Sequence, residues 1–278
     1  MNLRRAQFYQ SAFLEVIVCL FGTTAFAQEN KEKSNNFCQQ NNYNGDKSSF
    51  TEPREFTLPA GNLLTVDGEQ NGGIRVKGAD RNDVLVRACV QAWGKSDEAA
   101  RQLASSVRIE KGSTIRASGA AEDSGWAVSY EIHIPRSMNL KLTTHNGGIG
   151  ISGVEGTIDF EAVNGGIHLS EVAGDVKGRT ANGGVNVELS GTSWRGAGLN
   201  VETTNGGVRL TMPETYAAHV ETGTVNGGFK SSIAALNIER KDRSRAARLS
   251  ADLNGGGATV RVVTTNGGVH IKTPDKSR

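Results

Sequence analysis

The chain has 278 residues and a formal net charge of +2, with 37% hydrophobic and 22% charged residues. That length admits one or two domains. Thirty-five glycines beside only 5 prolines exclude collagen and a proline-rich linker, and the near-neutral charge excludes a strongly basic nucleic-acid binder.

Residues 1–27 read as a secretory signal peptide. Arg4 and Arg5 form a positive start, 12–21 is mostly apolar despite Glu15, and Ala25-Phe26-Ala27 is a small-residue cleavage site. The apolar run is shorter than the ~20 residues that span a bilayer. Cys19 follows Val18, where a lipoprotein site needs a small residue. Cleavage after Ala27 predicts an exported protein, periplasmic or at the cell surface, with a net charge of +1.

Residues 28–50 are rich in Asn, Gln, Lys, Ser and Gly and predict a flexible polar arm. Cys38 and Cys89 remain after cleavage. They either pair in an oxidising compartment or stay as thiols, with Cys89 buried as a small hydrophobe. There is no Cys-x-x-Cys.

Residues 51–138 predict a small α+β cap with one helix. Strands are expected at 84–92, 107–109, 114–116 and 127–134, the last from the alternation of Val128, Tyr130, Ile132 and Ile134. Ser96 is a good N-cap for a helix over 97–105, where Asp97 and Glu98 suit the N-terminal dipole.

The tripeptide Asn-Gly-Gly begins at Asn71, Asn146, Asn164, Asn182, Asn205, Asn226, Asn254 and Asn266. The third residue after the Asn is apolar in seven of the eight copies, and apolar residues alternate on both sides, so each copy reads as strand–turn–strand. From 146 to 164 to 182 the period is 18, with a second turn in each unit. The later spacings of 23, 21, 28 and 12 imply loop insertions. An antiparallel meander is the alternative, because Asn-Gly also makes hairpins. A meander has no reason to keep two turn types at a fixed period. The expected fold is therefore mainly β: a single-stranded parallel β-solenoid over 139–278, one coil per unit, about six or seven coils and roughly 30 Å long. Ile149, Ile167 and Val185 would form an interior column, and Asn146, Asn164 and Asn182 an asparagine ladder. The glycines are expected to supply positive φ in the turns.

These features resemble the bacterial domain-of-unknown-function family DUF4097, also labelled adhesin. The matching residues are the Ala-rich helix at 96–106, then Tyr130-Glu131-Ile132-His133-Ile134-Pro135, then Leu140-Lys141-Leu142-Thr143-Thr144-His145-Asn146-Gly147-Gly148. The resemblance spans roughly 55–273, and the insertion between 229 and 254 departs from it. It implies a repeat fold without a catalytic motif. It also implies an adhesin-like role, or a place beside envelope-stress regulators.

No catalytic motif stands out. Gly94-Lys95-Ser96 lacks the P-loop glycine, because Cys89 stands there, and there is no G-x-S-x-G or H-E-x-x-H. His145 and His168 are close enough in register to meet, but surface positions account for them. A β-helix polysaccharide-cleaving enzyme would cluster acids on one face. Glu161 and Glu202 share a phase, with Arg179 in the coil between. Trp194, beside Arg195 in the insertion between 182 and 205, is the best candidate for a sugar-stacking ligand surface. Arg240, Lys241, Arg243, Arg245 and Arg248 form a basic run diluted by Glu239 and Asp242.

The expectation is a non-enzymatic, exported binding or scaffold module without cofactor, metal or nucleic acid. Its partner would be an envelope glycan or an envelope protein. End-to-end self-association is expected from an uncapped last coil over 260–272, blunted by Thr273-Pro274.

Overall fold

A computed structural model describes residues 37–38, 48–119, 125–236 and 247–274. The expected signal peptide, most of the arm, and Arg240, Lys241, Arg243 and Arg245 lie outside the described residues. Among the described residues the fold is mainly β with one α-helix. The twenty described strands form two ten-stranded sheets of mixed direction.

The first described strand is β1 (Ser48–Pro59), so the end of the expected arm, 48–50, is strand. Next come β2 (Leu63–Asp67), β3 (Ile74–Ala79) and β4 (Asp83–Gly94). Helix α1 (Asp97–Ser106) starts where Ser96 accepts the Ala99 N–H. It buries Ala100 and Ala104 and packs on β1 and β4. Strands β5 (Arg108–Lys111), β6 (Thr114–Ser118) and β7 (Trp126–Pro135) follow. Then paired strands repeat: β8 (Asn139–Asn146) with β9 (Ile149–Ser152), β10 (Glu155–Asn164) with β11 (Ile167–Ser170), and β12 (Ala173–Asn182) with β13 (Val185–Glu188). The pattern continues through β14 (Gly198–Asn205) with β15 (Val208–Thr211), and β16 (Ala218–Asn226) with β17 (Phe229–Ser231). After β18 (Ala247–Leu253) come β19 (Thr259–Asn266) and β20 (Val269–Lys272).

One strand of each pair joins one sheet and its partner joins the other. The first sheet, A, runs β1-β4-β7-β3-β9-β11-β13-β15-β20-β17. The second, B, runs β18-β16-β19-β14-β12-β10-β8-β2-β6-β5. Pairing is parallel within the repeats and antiparallel at β1–β4–β7, β5–β6 and β16–β18. Strands from 51–138 and from 139–278 share both sheets, because β2 pairs with β8 and β3 with β9.

The core lies between the sheets as in-register columns. One column of sheet A is Ile74, Ile149, Ile167, Val185, Val208, Val269 and the half-buried Phe229. Its counterpart in sheet B is Leu64, Leu140, Ile158, Val176, Leu199, Val260 and Val220. Each such buried side chain contributes roughly 1.5–3 kcal/mol. The ring of Phe160 fills the space that a Cβ on Gly178 would need, so a large and a small residue complement each other in one column.

The order of the last repeats departs from the sequential stack expected. β19 and β20 insert between β14/β15 and β16/β17. The coil over 260–272 is therefore internal, not the open end. The outermost repeat is β16/β17, where β18 covers β16 and the short 3-10 turn Ala234–Leu236 buries Leu236. The reversal into β19 is made at Asn254 (φ 51°), Gly255 (94°), Gly256 (78°) and Gly257 (144°). This one copy of the tripeptide has the left-handed turn expected of all eight.

Candidate functional site

Seven of the eight tripeptides stack. Asn146 donates its side-chain amide to Asn71 at 3.0 Å. Asn164 donates to Asn146, Asn182 to Asn164, Asn205 to Asn182, Asn266 to Asn205 and Asn226 to Asn266, each at 2.8 Å. Asn254 stands apart and donates to the carbonyls of Glu214 and Tyr216. It is also the copy without an apolar third residue, where Gly257 stands instead.

The stacked glycines do not have positive φ, which corrects the turn argument. A Cβ on the first glycine of a copy would strike the neighbouring repeat. At Gly147, Gly165, Gly183, Gly206, Gly267 and Gly227 it would overlap the backbone carbonyl of Gly72, Gly147, Gly165, Gly183, Gly206 and Gly267 in turn. Those carbonyls also accept from threonines two residues before the Asn. Thr144 donates to Gly72 at 2.6 Å, and Thr180, Thr203 and Thr264 donate to Gly165, Gly183 and Gly206 at 2.7 Å. These buried threonines were not singled out from sequence, although Thr recurs at that offset.

Trp194 is not a ligand surface. It is 7% exposed, belongs to the core, and donates its indole N–H to Gly174 at 3.0 Å. The insertion folds the ring inward, because Gly174 and Gly196 allow the backbone to close over it. Arg195 is exposed and pairs with Glu155 at 3.1 Å. Cys38 and Cys89 form a disulfide.

The two outward faces differ in charge. On sheet B the register stacks Lys141, Asp159, Lys177, Asn200, Arg261 and Glu221, with Glu161, Arg179 and Glu202 in the next row. Acids and bases neutralise each other there. Arg179 meets Glu161 at 2.8 Å, and Arg261 meets Glu202 at 3.5 Å and Glu221 at 3.8 Å. Arg179 separates the two glutamates that share a phase.

On sheet A the row is Glu131, Arg75, Gly150, His168, Asn186, Arg209, His270 and Lys230, with no carboxylate from Gly150 onward. Among the described residues Arg209, His270 and Lys230 have no ion pair. Beside them runs a trough of about 780 Å³ lined by Gly166, Gly184, Gly207, Gly228 and Gly268. The adjacent row contributes one acid, Glu188.

Two further ionic clusters stand out. Glu131, 6% exposed, lies 2.9 Å from Lys77, 3.4 Å from His133, 3.5 Å from Arg87 and 3.7 Å from Arg75. The hydrogen bond from His133, then Lys77, holds its carboxyl down to about 2 against the opposing effect of burial. On β16 and β18, His219 Nδ1 lies 2.7 Å from Asp252 and Nε2 lies 3.1 Å from Ser250. The hydrogen bond to Asp252 foremost raises the His219 pKa. His145 and His168 do not hydrogen-bond to each other; His168 Nδ1 lies 3.0 Å from Asn186 Nδ2. Among the described residues no three His, Cys, Asp or Glu side chains gather to hold a metal ion.

The family model "Toastrack DUF4097" matches residues 127–242. No curated protein matches the chain. Similar solved structures include a "putative cell adhesion protein" from Clostridium sporogenes, at 11% identity, covering 80% of this chain and 100% of that one, with a TM-score of 0.45. A "putative adhesin" from Bacteroides fragilis is 10% identical, covers 81% and 97%, and has a TM-score of 0.39. A "putative lipid binding protein" from Parabacteroides distasonis is 9% identical, covers 81% and 97%, and has a TM-score of 0.27.

Proposed function

We propose, from the match of residues 127–242 to the Toastrack DUF4097 family model, that this chain is an exported, non-enzymatic β-solenoid that binds or scaffolds a component of the cell envelope. The observation that carries the reading is the stack itself. Seven asparagines joined by side-chain amides hold outward rows of side chains about 4.8 Å apart, so one face repeats one chemistry along an axis. Such a surface suits an extended partner. The Cys38–Cys89 disulfide supports export, because it requires an oxidising compartment.

The test is a binding screen of the exported chain against envelope glycans and cell-wall polymers, with product analysis of the same samples. Binding without cleavage supports the reading. No binding to any envelope polymer overturns it.

One observation favours a second reading. Ser250, His219 and Asp252 follow the order of an acyl-transfer triad, and Ser250 lines a groove with Arg248 and Arg261. Against it, Asp252 is 68% exposed and Glu221 Oε1 lies 3.6 Å from the same imidazole nitrogen as Ser250. Covalent labelling of Ser250 by a fluorophosphonate would establish this reading and remove the non-enzymatic one.

A further inference from the structure

Resting on that binding reading, we infer that the trough on sheet A holds a linear acidic polysaccharide. Arg209 and Lys230 meet its carboxylates, and the glycine floor meets its sugar rings. Three independent observations lead there.

The first is the second glycine of the five stacked tripeptides along the trough, which local geometry does not require. A Cβ on Gly166, Gly184 or Gly207 would stand 3.4 Å from the nearest carbonyl oxygen, and on Gly268 3.6 Å; at Gly228 it would meet nothing within 4 Å. None of these residues has positive φ. The first glycine is forced by a clash, but the second is not. Yet it is glycine in all seven stacked copies, and five of these glycines line the trough. What the second glycine does is keep the floor free of side chains.

The second is charge. The sheet B face neutralises itself through Arg179–Glu161 and Arg261–Glu202. The sheet A row carries Arg209 and Lys230, either side of His270, and its one acid, Glu131, stands at the far end beside Arg75. Arg209 and Lys230 stand two strand spacings apart with no ion pair, and a polyanion lying along the row would meet both. Glu188 in the adjacent row is the nearest opposing charge; it lies on the strand beside Arg209, three strands from Lys230, and pairs with neither.

The third is shape. Five glycines in successive repeats make a floor roughly 19 Å long at the strand spacing. A flat backbone floor accepts the C–H face of a pyranose ring, whereas an alkyl chain needs an enclosing apolar cavity. The strand spacing also resembles the advance of one sugar along an extended chain. These features select a polyuronate over a lipid.

The experiment is calorimetric titration of the exported chain with alginate oligomers as the polyuronate. Neutral cello-oligomers and phosphatidylglycerol vesicles are run alongside. Alginate should bind, and more weakly as salt rises. The exposed double variant Arg209→Gln/Lys230→Gln should lose about tenfold in affinity. Gly207→Ala should also weaken binding, while its melting temperature stays level or rises, because alanine restricts the unfolded chain. Lys141→Gln on sheet B should bind as the parent does. Equal alginate binding by the double variant, equal binding of cello-oligomers, or binding of vesicles alone would overturn the inference. If the envelope screen is positive while these variants behave as the parent, only the trough assignment fails. If the screen is empty, both fail.

Discussion

Asn205 accepts a hydrogen bond from Asn266, 61 residues later, at 2.8 Å. Asn226, only 21 residues after Asn205, donates instead to Asn266. The ladder therefore runs 205, 266, 226, and the last strands of the chain occupy the place the preceding unit would have taken. Because Asn205 stands inside the seven-membered ladder, Asn205→Ala should strand the donor of Asn266 and the acceptor of Asn182. These side chains are solvent-accessible, so the cost is about 1 kcal/mol. Urea unfolding checks this, and Asn226→Ala, at the end of the ladder, should cost less.

Neighbouring glycines should behave oppositely. Gly183→Ala drives a methyl into the Gly165 carbonyl and should cost about 1–3 kcal/mol or more. Gly184→Ala meets only an ordinary contact at 3.4 Å and should be neutral. Paired denaturation curves separate the two.

Glu131 makes the fold acid-sensitive. Its carboxyl falls from 4.5 to about 2 in the folded protein. A depressed carboxylate pKa stabilises above the unfolded value and loses that contribution as pH falls through the folded one. The window is therefore from about 4.5 down to about 2, worth roughly 3 kcal/mol. Glu131→Gln should flatten the acid limb of a stability–pH curve. His219 acts in the opposite sense. Its pKa is raised, chiefly by Asp252, so its contribution is complete below 6.5 and fades as pH rises through the folded value. His219→Gln should remove that slope.

Reduction of Cys38–Cys89 opens a loop whose ends are 51 residues apart. Chain-entropy reasoning sets the loss at about 4 kcal/mol. Dithiothreitol, or Cys38→Ser with Cys89→Ser, should lower the urea midpoint. Non-reducing peptide mapping should recover the linked pair.

Trp194→Ala should destabilise by about 3–5 kcal/mol through the cavity it leaves and the unpaired Gly174 carbonyl. Arg195→Ala should change stability little, because its pair with Glu155 is exposed. Thermal melts of the two variants test the correction at this site.

Local rules made much of the fold legible. Alternating apolar residues around each Asn-Gly-Gly mark strands wherever both flanks are periodic, and Ser96 marks the start of α1. The first 18-residue units stack in the register their spacing implies, because nothing intervenes between them. Trp194 was misjudged because an insertion has no periodicity from which to read inside and outside. The turn glycines were assigned the right place for the wrong reason. Their constraint is a carbonyl in the next repeat, which no local window contains.

What the residues carry on their own is the strand pattern, the single helix, and an asparagine at each stacked turn, since side-chain alternation and capping act over a few residues. Contacts between distant segments settle the rest: the 205–266–226 order, the closure of Cys38 on Cys89, the burial of Trp194, and the placing of Arg209 and Lys230 without ion pairs beside a bare glycine floor. Each depends on which strand lies 4.8 Å away, and a parallel stack accepts any strand of matching register. The choice among them rests with the loops and with the packing of the whole core.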